Sequence, residues 1–406
     1  LSANGLSRRY HLEKSDPLRG CVTPTLFWSQ RQQVFKFLNC LQEFLMRVAV
    51  IGRTGSGDWG HAIDELWLKV PNVEIVAIAD AHEDGLAKAA ERLNCSNTFL
   101  DWHTMLAETK PDIVAICMRF IDCHAEMAIA AVESGAKGVF LEKPFVRSCS
   151  EADAVIKACE KTGAKLSTAL VNRYSPTWPV IREIIDSGRI GQLLELRGRG
   201  KEDTRGGGED LWVLGTHILD MMNNLGGDPL WCQATVSLDG KPITKSDAVE
   251  CPEGIGLVAG DRVDATWGLA DGPIAFFSSV RKAGLKTPNF GLTLVGTKGA
   301  IHILSDRVPH AYYRPEPLWR VDKEIPWQPI TSEGIGKTED DPDASREGWG
   351  RRAAVDLVDA ITEDREPESG MYSSRTGVEM IAAVYQSALA EKRITWPLVE
   401  RKNPLE

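Results

Sequence analysis

The 406-residue sequence has no apolar run long enough to cross a bilayer, which sets aside a membrane-spanning role. It has no excess of basic residues either. At a formal charge of −10 it lacks the net cationic face that displaces counterions from a polyanion, so no nucleic-acid partner is expected. C-x-x-C does not occur. The nine cysteines, at 21, 40, 95, 117, 123, 149, 159, 232 and 251, are odd in number and scattered, and indicate neither a disulfide framework nor a cysteine zinc site. A reducing, cytoplasmic location is expected on that ground. The eight histidines show no H-E-x-x-H or other close ligand spacing, so no metal is expected. An export signal is also wanting: after S-R-R-Y at 7–10, the stretch S-D-P-L-R-G-C-V-T-P stands where a leader needs an apolar segment.

What is present reads as globular, with 43% hydrophobic and 26% charged residues and a length that suits about two to three domains. Residues 1–45 stand apart, with six Lys or Arg against three Asp or Glu, the reverse of the acidic remainder. Val34, Phe37, Leu38, Leu41, Phe44 and Leu45 fall at helical spacing. We read 1–45 as an extension outside the chemistry, and M-R-V-A-V-I-G at 46–52 as the start of a domain.

From there short apolar runs alternate with helical patterns, the signature of parallel strands joined by crossover helices. Strands are expected at 47–52, 73–79, 97–100, 112–117, 138–142 and 165–171, and helices near 60–69, 83–93, 102–109, 122–135 and 149–162. The fold class is therefore α/β, a doubly wound Rossmann sheet over 46–171. Residues 172–406 read as an α+β domain. Its runs at 192–198, 262–269, 273–280, 290–296 and 300–304 are split by Gly-rich turns without long helices between them, which points to a large open, mostly antiparallel sheet. Helical patterns return at 344–364 and 372–391, and the polar stretch 331–346 reads as a surface loop.

Doubly wound sheets bind ligands beyond the carboxyl ends of their strands. The first such end carries Gly52, Gly55, Gly57 and Gly60, with G-x-G-x-x-G at 55–60, a bend whose backbone could approach a pyrophosphate at a helix N-terminus. Three residues separate Gly52 from Gly55, which leaves open which glycine meets the phosphates. Asp80 ends the second strand, where a carboxylate can accept from a ribose diol and would repel a 2′-phosphate, so NAD is favoured over NADP. The plainer reading of Asp80 is a turn or helix N-cap residue. V-F-L-E-K-P-F at 139–145 places Glu142 and Lys143 at the same edge, with the Lys143 amine directed to the nicotinamide end of a dinucleotide; beside a cationic ring its charged form is disfavoured, which suits proton exchange with a hydroxyl.

These residues, with His124, N-R-Y-S-P at 172–176, G-R-I-G at 188–191 and G-G-G-E-D-L-W-V-L-G-T-H-I-L-D at 206–220, resemble the Gfo/Idh/MocA oxidoreductase family over about 46–400. The resemblance implies a homodimer or homotetramer built through the second domain's sheet, and catalysis by Lys143 with His217. Cofactor contacts are expected from Gly52, Gly55, Gly57, Gly60, Asp80, Arg119, Glu142 and Lys143, and substrate contacts from Arg173, Tyr174, Asp210 and His217. Plainer readings are a His217 bonded to Asp220, an Arg119 paired to Asp122, a Tyr174 packed at the hinge, and Trp178 and Trp212 as core or cleft wall. Many family members carry Asp four residues before the histidine, where this sequence has Val213. Then Lys143 is the principal base, or Asp210 or Glu209 supplies a carboxylate, or activity is lost. The function implied is an NAD-dependent dehydrogenase acting on a sugar, cyclitol or related polyol. Alternatives are a glycosidase that oxidises and re-reduces its sugar, and a non-catalytic NAD-binding regulator.

Overall fold

A computed structural model describes residues 45–284, 290–305, 307, 308 and 310–406. The helical spacing seen at 34–44 lies outside the described residues. Met46–Glu406 forms one compact unit.

Its first layer is a six-stranded parallel sheet, with β1 at Met46–Ile51, β2 at Val73–Ala79, β3 at Thr98–Phe99, β4 at Ile113–Ile116, β5 at Gly138–Leu141 and β6 at Lys165–Thr168. The spatial order is β3-β2-β1-β4-β5-β6, so the order reverses between β1 and β4 and a crevice opens beyond their carboxyl ends. β4 and β5 are buried at every position, as strands covered on both faces must be. The crossovers are α1 at Glu83–Arg92, α2 at Trp102–Thr109, α3 at His124–Glu133 and α4 at Cys149–Thr162. Short side chains fix where they begin: Asp101 accepts from the amides of His103 and Thr104, and Ser148 from that of Glu151.

One crossover departs from expectation. Residues 60–64 form turns, and only a short 3-10 helix follows at Glu65–Lys69. Positive φ at Asp58, Gly60 and Ala62 (53°, 66° and 59°) leaves the right-handed helical region at every second residue, so no α-helix can propagate. The bend therefore has no α-helix N-terminus behind it.

The second layer is a mixed, mostly antiparallel sheet of eleven strands among the described residues. Leu193–Arg199 sits near its middle, parallel to Ile274–Val280 and antiparallel to Gly291–Gly296. Burial alternates along Pro229–Leu238 and Ile274–Val280, so one face is packed and the other open. Before the sheet comes α5 at Trp178–Asp186. The packed face receives α6 at Gly208–Val213 and α7 at Gly215–Gly226. A side chain at Gly198 would lie 2.3 Å from Ile218 and 2.6 Å from Met222, so glycine lets the helix seat directly on the strand. The chain closes with α8 at Arg346–Glu363, capped by Ser345, and α9 at Met371–Ala390.

N-R-Y-S-P is a clasp within this unit. Arg173 is 8% exposed and bonds Asp220 on α7 through Nε at 2.8 Å and through a second guanidinium nitrogen, while its third nitrogen donates to the Glu368 carbonyl. Tyr174 donates its hydroxyl to Asp356 at 2.9 Å and accepts from the Ser369 amide. Both side chains are spent on these partners, which corrects their expected place at the substrate. Asp220 is correspondingly not a partner of His217. Breaking a buried ion pair strands the remaining charge, so Asp220→Ala should lower unfolding stability by about 3–5 kcal/mol. Urea denaturation measures this, and a change under about 1 kcal/mol would contradict the clasp.

Candidate active site

β5 delivers Glu142 and Lys143, 1% and 3% exposed, to the carboxyl edge of the parallel sheet. Neither charge stands alone. Lys143 Nζ donates to the Val213 carbonyl at 3.1 Å. Val213 is the last residue of α6, where helix carbonyls lack intrahelical partners and carry partial negative charge, so the ammonium caps the helix end. Burial pushes the Lys143 amine below its usual 10.5, against the opposing pull of Glu142. Glu142 Oε1 lies 2.7 Å from Nδ1 of His61. A carboxylate only accepts, so this pairing puts the ring hydrogen on Nδ1.

His217 follows Val213 by one helical turn and is 3% exposed, its ring edge-on to Phe290 with centroids 6.4 Å apart. Its Nδ1 has no hydrogen-bond partner among the described residues. Burial first, then the positive charges of Lys143 and Arg346 and the nearby His61, hold its pKa well below 6.5 and keep the ring neutral. Lys143, His217, His61 and Arg346 thus meet in one electrostatic neighbourhood. Beside it lies a cavity of about 650 Å³, walled by His61, Glu142, Ala169, Val171, Ser345 and Arg346, at the carboxyl ends of β5 and β6. His124 braces the arrangement from below: its ring is 2.9 Å from the Met118 carbonyl and 3.0 Å from that of Phe145, tying the segment after β4 to the turn after β5.

The glycine bend is folded down onto the segment after β4. A side chain at Gly57 would lie 2.5 Å from the Phe120 amide nitrogen, one at Gly60 2.2 Å from the Cys117 carbonyl, and one at Gly52 2.3 Å from the Trp59 ring. Gly55, with φ +80°, has open space where a side chain would be. Arg53 is paired to Asp122 at 2.7 Å, and the Arg119 amide donates to Gly57 at 3.1 Å. Arg119 therefore reaches Gly57 and Asp58 rather than Asp122. Asp80 is 3% exposed and accepts from the Thr54 amide at 3.0 Å, the Thr54 hydroxyl at 2.6 Å and the His82 amide at 2.9 Å. Here it clamps the bend.

Asp210 cannot stand in for the missing carboxylate. It is fully buried and accepts from the Ser279 hydroxyl at 2.5 Å and from the amides of Lys201 and Glu202, holding the turn after Arg199. Glu209 is half-buried with a raised pKa, from burial and then from Glu253. Trp178 and Trp212 are core, 4% and 2% exposed. Among the described residues no group of three or more His, Cys, Asp or Glu could hold a metal ion, and no helix is long and apolar enough to cross a membrane. Two site residues went unread in the sequence, His61 and Arg346. His61 follows the glycine motif directly, but its partner is 81 positions away; Arg346 ends a stretch that reads as surface loop.

The strand order, the glycine bend and the charged edge of β5 define a dinucleotide-binding α/β protein. Residues 46–170 match the oxidoreductase family with an NAD-binding Rossmann fold, and this stretch is a Gfo/Idh/MocA Rossmann domain. Levoglucosan dehydrogenase of Pseudarthrobacter phenanthrenivorans is 26% identical over 55% of this chain and 63% of its own length. Inositol 2-dehydrogenase of Salmonella typhimurium is 30% identical over 32% of this chain and 39% of its own. The chain thus spans less than two thirds of either relative. Among solved structures, levoglucosan dehydrogenase in complex with NADH and levoglucosan superposes with a TM-score of 0.71 at 22% identity, over 87% of this chain and all of that one. An Agrobacterium radiobacter oxidoreductase in complex with NAD+, L-tartaric acid and magnesium gives 0.66 at 17% identity, over 86% and 98%. At these identities the structures establish a shared fold.

His217 and His310 are both buried and neutral; His310, against Trp349, has a pKa lowered to about 4 by burial. Below pH 6.5 the unfolded chain binds protons that the folded one refuses, so stability falls as pH drops from about 6.5 toward 4. His310→Phe should recover about 2 kcal/mol of that loss at pH 5. Urea midpoints at pH 7.5 and 5 check it, and equal acid losses in variant and parent would refute the assignment.

Proposed function

We propose that this chain is an NAD-dependent oxidoreductase that moves a hydride between a secondary alcohol of a sugar, cyclitol or related polyol and nicotinamide. One observation carries the reading: Lys143 and His217, from opposite layers, converge beside a cavity at the carboxyl edge of an oxidoreductase-family Rossmann sheet. Residues 46–171 hold the dinucleotide and 172–406 supply substrate walls and subunit contacts.

The residues present fit that cofactor. Gly55 offers open backbone for the phosphates, Asp80 a carboxylate for the ribose, and Glu142 with Lys143 the edge for the nicotinamide. Seating it along the bend goes with release of the Arg53–Asp122 and Thr54–Asp80 contacts. The exposed Arg53–Asp122 pair is worth about 0.2–1 kcal/mol, and the ribose hydroxyls would replace Thr54 at the buried Asp80 carboxylate. When bound, NAD supplies the hydride acceptor. Lys143 orients the substrate oxygen, and the unpartnered Nδ1 of His217 accepts from a sugar hydroxyl. The relatives' names, levoglucosan and inositol dehydrogenase, support a polyhydroxylated substrate.

Two further parts of the reading rest on the described residues. The open face of the large sheet, with Phe276 38% exposed among Arg197 and Thr266, suits a homodimer or homotetramer contact. The seven described cysteines are all unpaired, which supports a reducing, cytoplasmic setting.

Incubation with NAD and a panel of sugars, inositols and glycosides should accumulate NADH. Lys143→Ala should cut that rate by about 10²–10⁴-fold while NADH still binds. Cleavage of a glycoside without net NADH would point to a redox-cycling glycosidase, and NAD binding without conversion of any panel member to a regulator.

A further inference from the structure

Resting on the oxidoreductase reading above, we propose that His61, oriented by the buried carboxylate of Glu142, is the group that takes the substrate's hydroxyl proton, while Lys143 holds the oxygen. As an ammonium Lys143 has donors and no acceptor, and one donor is committed to the Val213 carbonyl. His217 has no carboxylate behind it, because the position four residues earlier is Val213 and Asp220 is taken by Arg173. A proton arriving on its buried ring would meet the positive charges of Lys143 and Arg346.

His61 has what His217 lacks. Its Nδ1 is 2.7 Å from Glu142, whose side chain is 1% exposed, whereas the imidazole itself is 37% exposed and lines the 650 Å³ cavity. A carboxylate held at Nδ1 fixes the tautomer, leaving the Nε2 lone pair as the acceptor, and stabilises the imidazolium that forms when a proton arrives. The charged groups that line the cavity with this ring are Glu142 after β5, Glu65 and Lys69 on the 3-10 helix, Asp343 before α8, and Arg346, Glu347 and Arg351 on α8, with Lys143 next to Glu142. The step balances: the hydroxyl proton passes to His61 Nε2, the carbinol C–H leaves as hydride to the nicotinamide, the C–O bond becomes a carbonyl, and the alcohol is oxidised as NAD is reduced. Glu142 is the positioning residue.

Three measurements on the full chain test this. His61→Ala should lower kcat for polyol oxidation by about 10²–10⁴-fold with KM and NADH affinity little changed, and imidazole added to the buffer should restore part of the rate. In the labelled-histidine nitrogen spectrum, His61 should carry its hydrogen on Nδ1, and Glu142→Gln should weaken that preference while the circular dichroism spectrum stays that of the folded parent. Saturation with a turned-over polyol should move the Nε2 resonance. A His61→Ala enzyme within about threefold of the parent rate, or a hydrogen found on Nε2, overturns the His61 assignment and leaves the oxidoreductase reading standing. A parent that oxidises no polyol overturns the oxidoreductase reading, and the His61 assignment falls with it.

Discussion

The buried hydrogen bond from Lys143 to the Val213 carbonyl is the constraint on which the site depends. It ties the carboxyl edge of the parallel sheet to the end of α6, and only Leu214 separates α6 from α7, so fixing Val213 fixes where His217 begins its turn. Three residues beyond His217, Asp220 binds Arg173, which belongs to the segment leaving β6. α7 is thus held to the Rossmann layer on both sides of the histidine. A hydrogen bond to a charged group is worth about 1.5–3 kcal/mol, and a buried ammonium without one costs more than that, so the two layers cannot drift apart at this point without penalty. His217 sits in a frame rather than on a mobile surface.

The glycine bend shows the same residues serving two demands. A chain that must pass close to a pyrophosphate needs positions without side chains, and such positions also let the chain fold back on itself. Gly57 and Gly60 face backbone atoms of the segment after β4 at distances no side chain could share, and the bend is held there by Arg53, Arg119 and Asp80. Each contact is weak or easily exchanged, and the carboxylate at Asp80 that accepts from Thr54 is the type of acceptor a ribose diol seeks.

The fold was legible where the determining pattern is local. The six parallel strands and four of the five crossover helices stand close to their expected places, because β-branched runs and a 3.6-residue period write themselves into consecutive residues. The convergence of Lys143 and His217 was legible only through the family resemblance, since nothing within either motif says that the two meet. What escaped was decided at long range. The run 60–69 has helical composition but loses its helix to backbone constraints at Asp58, Gly60 and Ala62. Arg173 and Asp210 read as cleft residues, yet their partners lie 47 and 69 positions away and bury them. His61 was missed for the same reason, since an imidazole beside a glycine turn looks unremarkable until Glu142 is brought beneath it.

The distribution of charge explains why the absence of an aspartate at position 213 need not empty the site of chemistry. Around the cavity's inner end Lys143, Arg346 and two imidazoles face one buried carboxylate, Glu142. Such a site disfavours added positive charge, as the lowered pKa values of Lys143 and His217 show. It also favours any step that places negative charge on a bound oxygen, because the donors are already in position. A carboxylate at 213 would have drawn the Lys143 ammonium to itself and cancelled part of that field. A helix-end carbonyl, carrying only partial charge, anchors the amine while leaving the field to the substrate. The buried carboxylate of Glu142 stands instead behind the imidazole that faces the cavity, where it can stabilise an arriving proton.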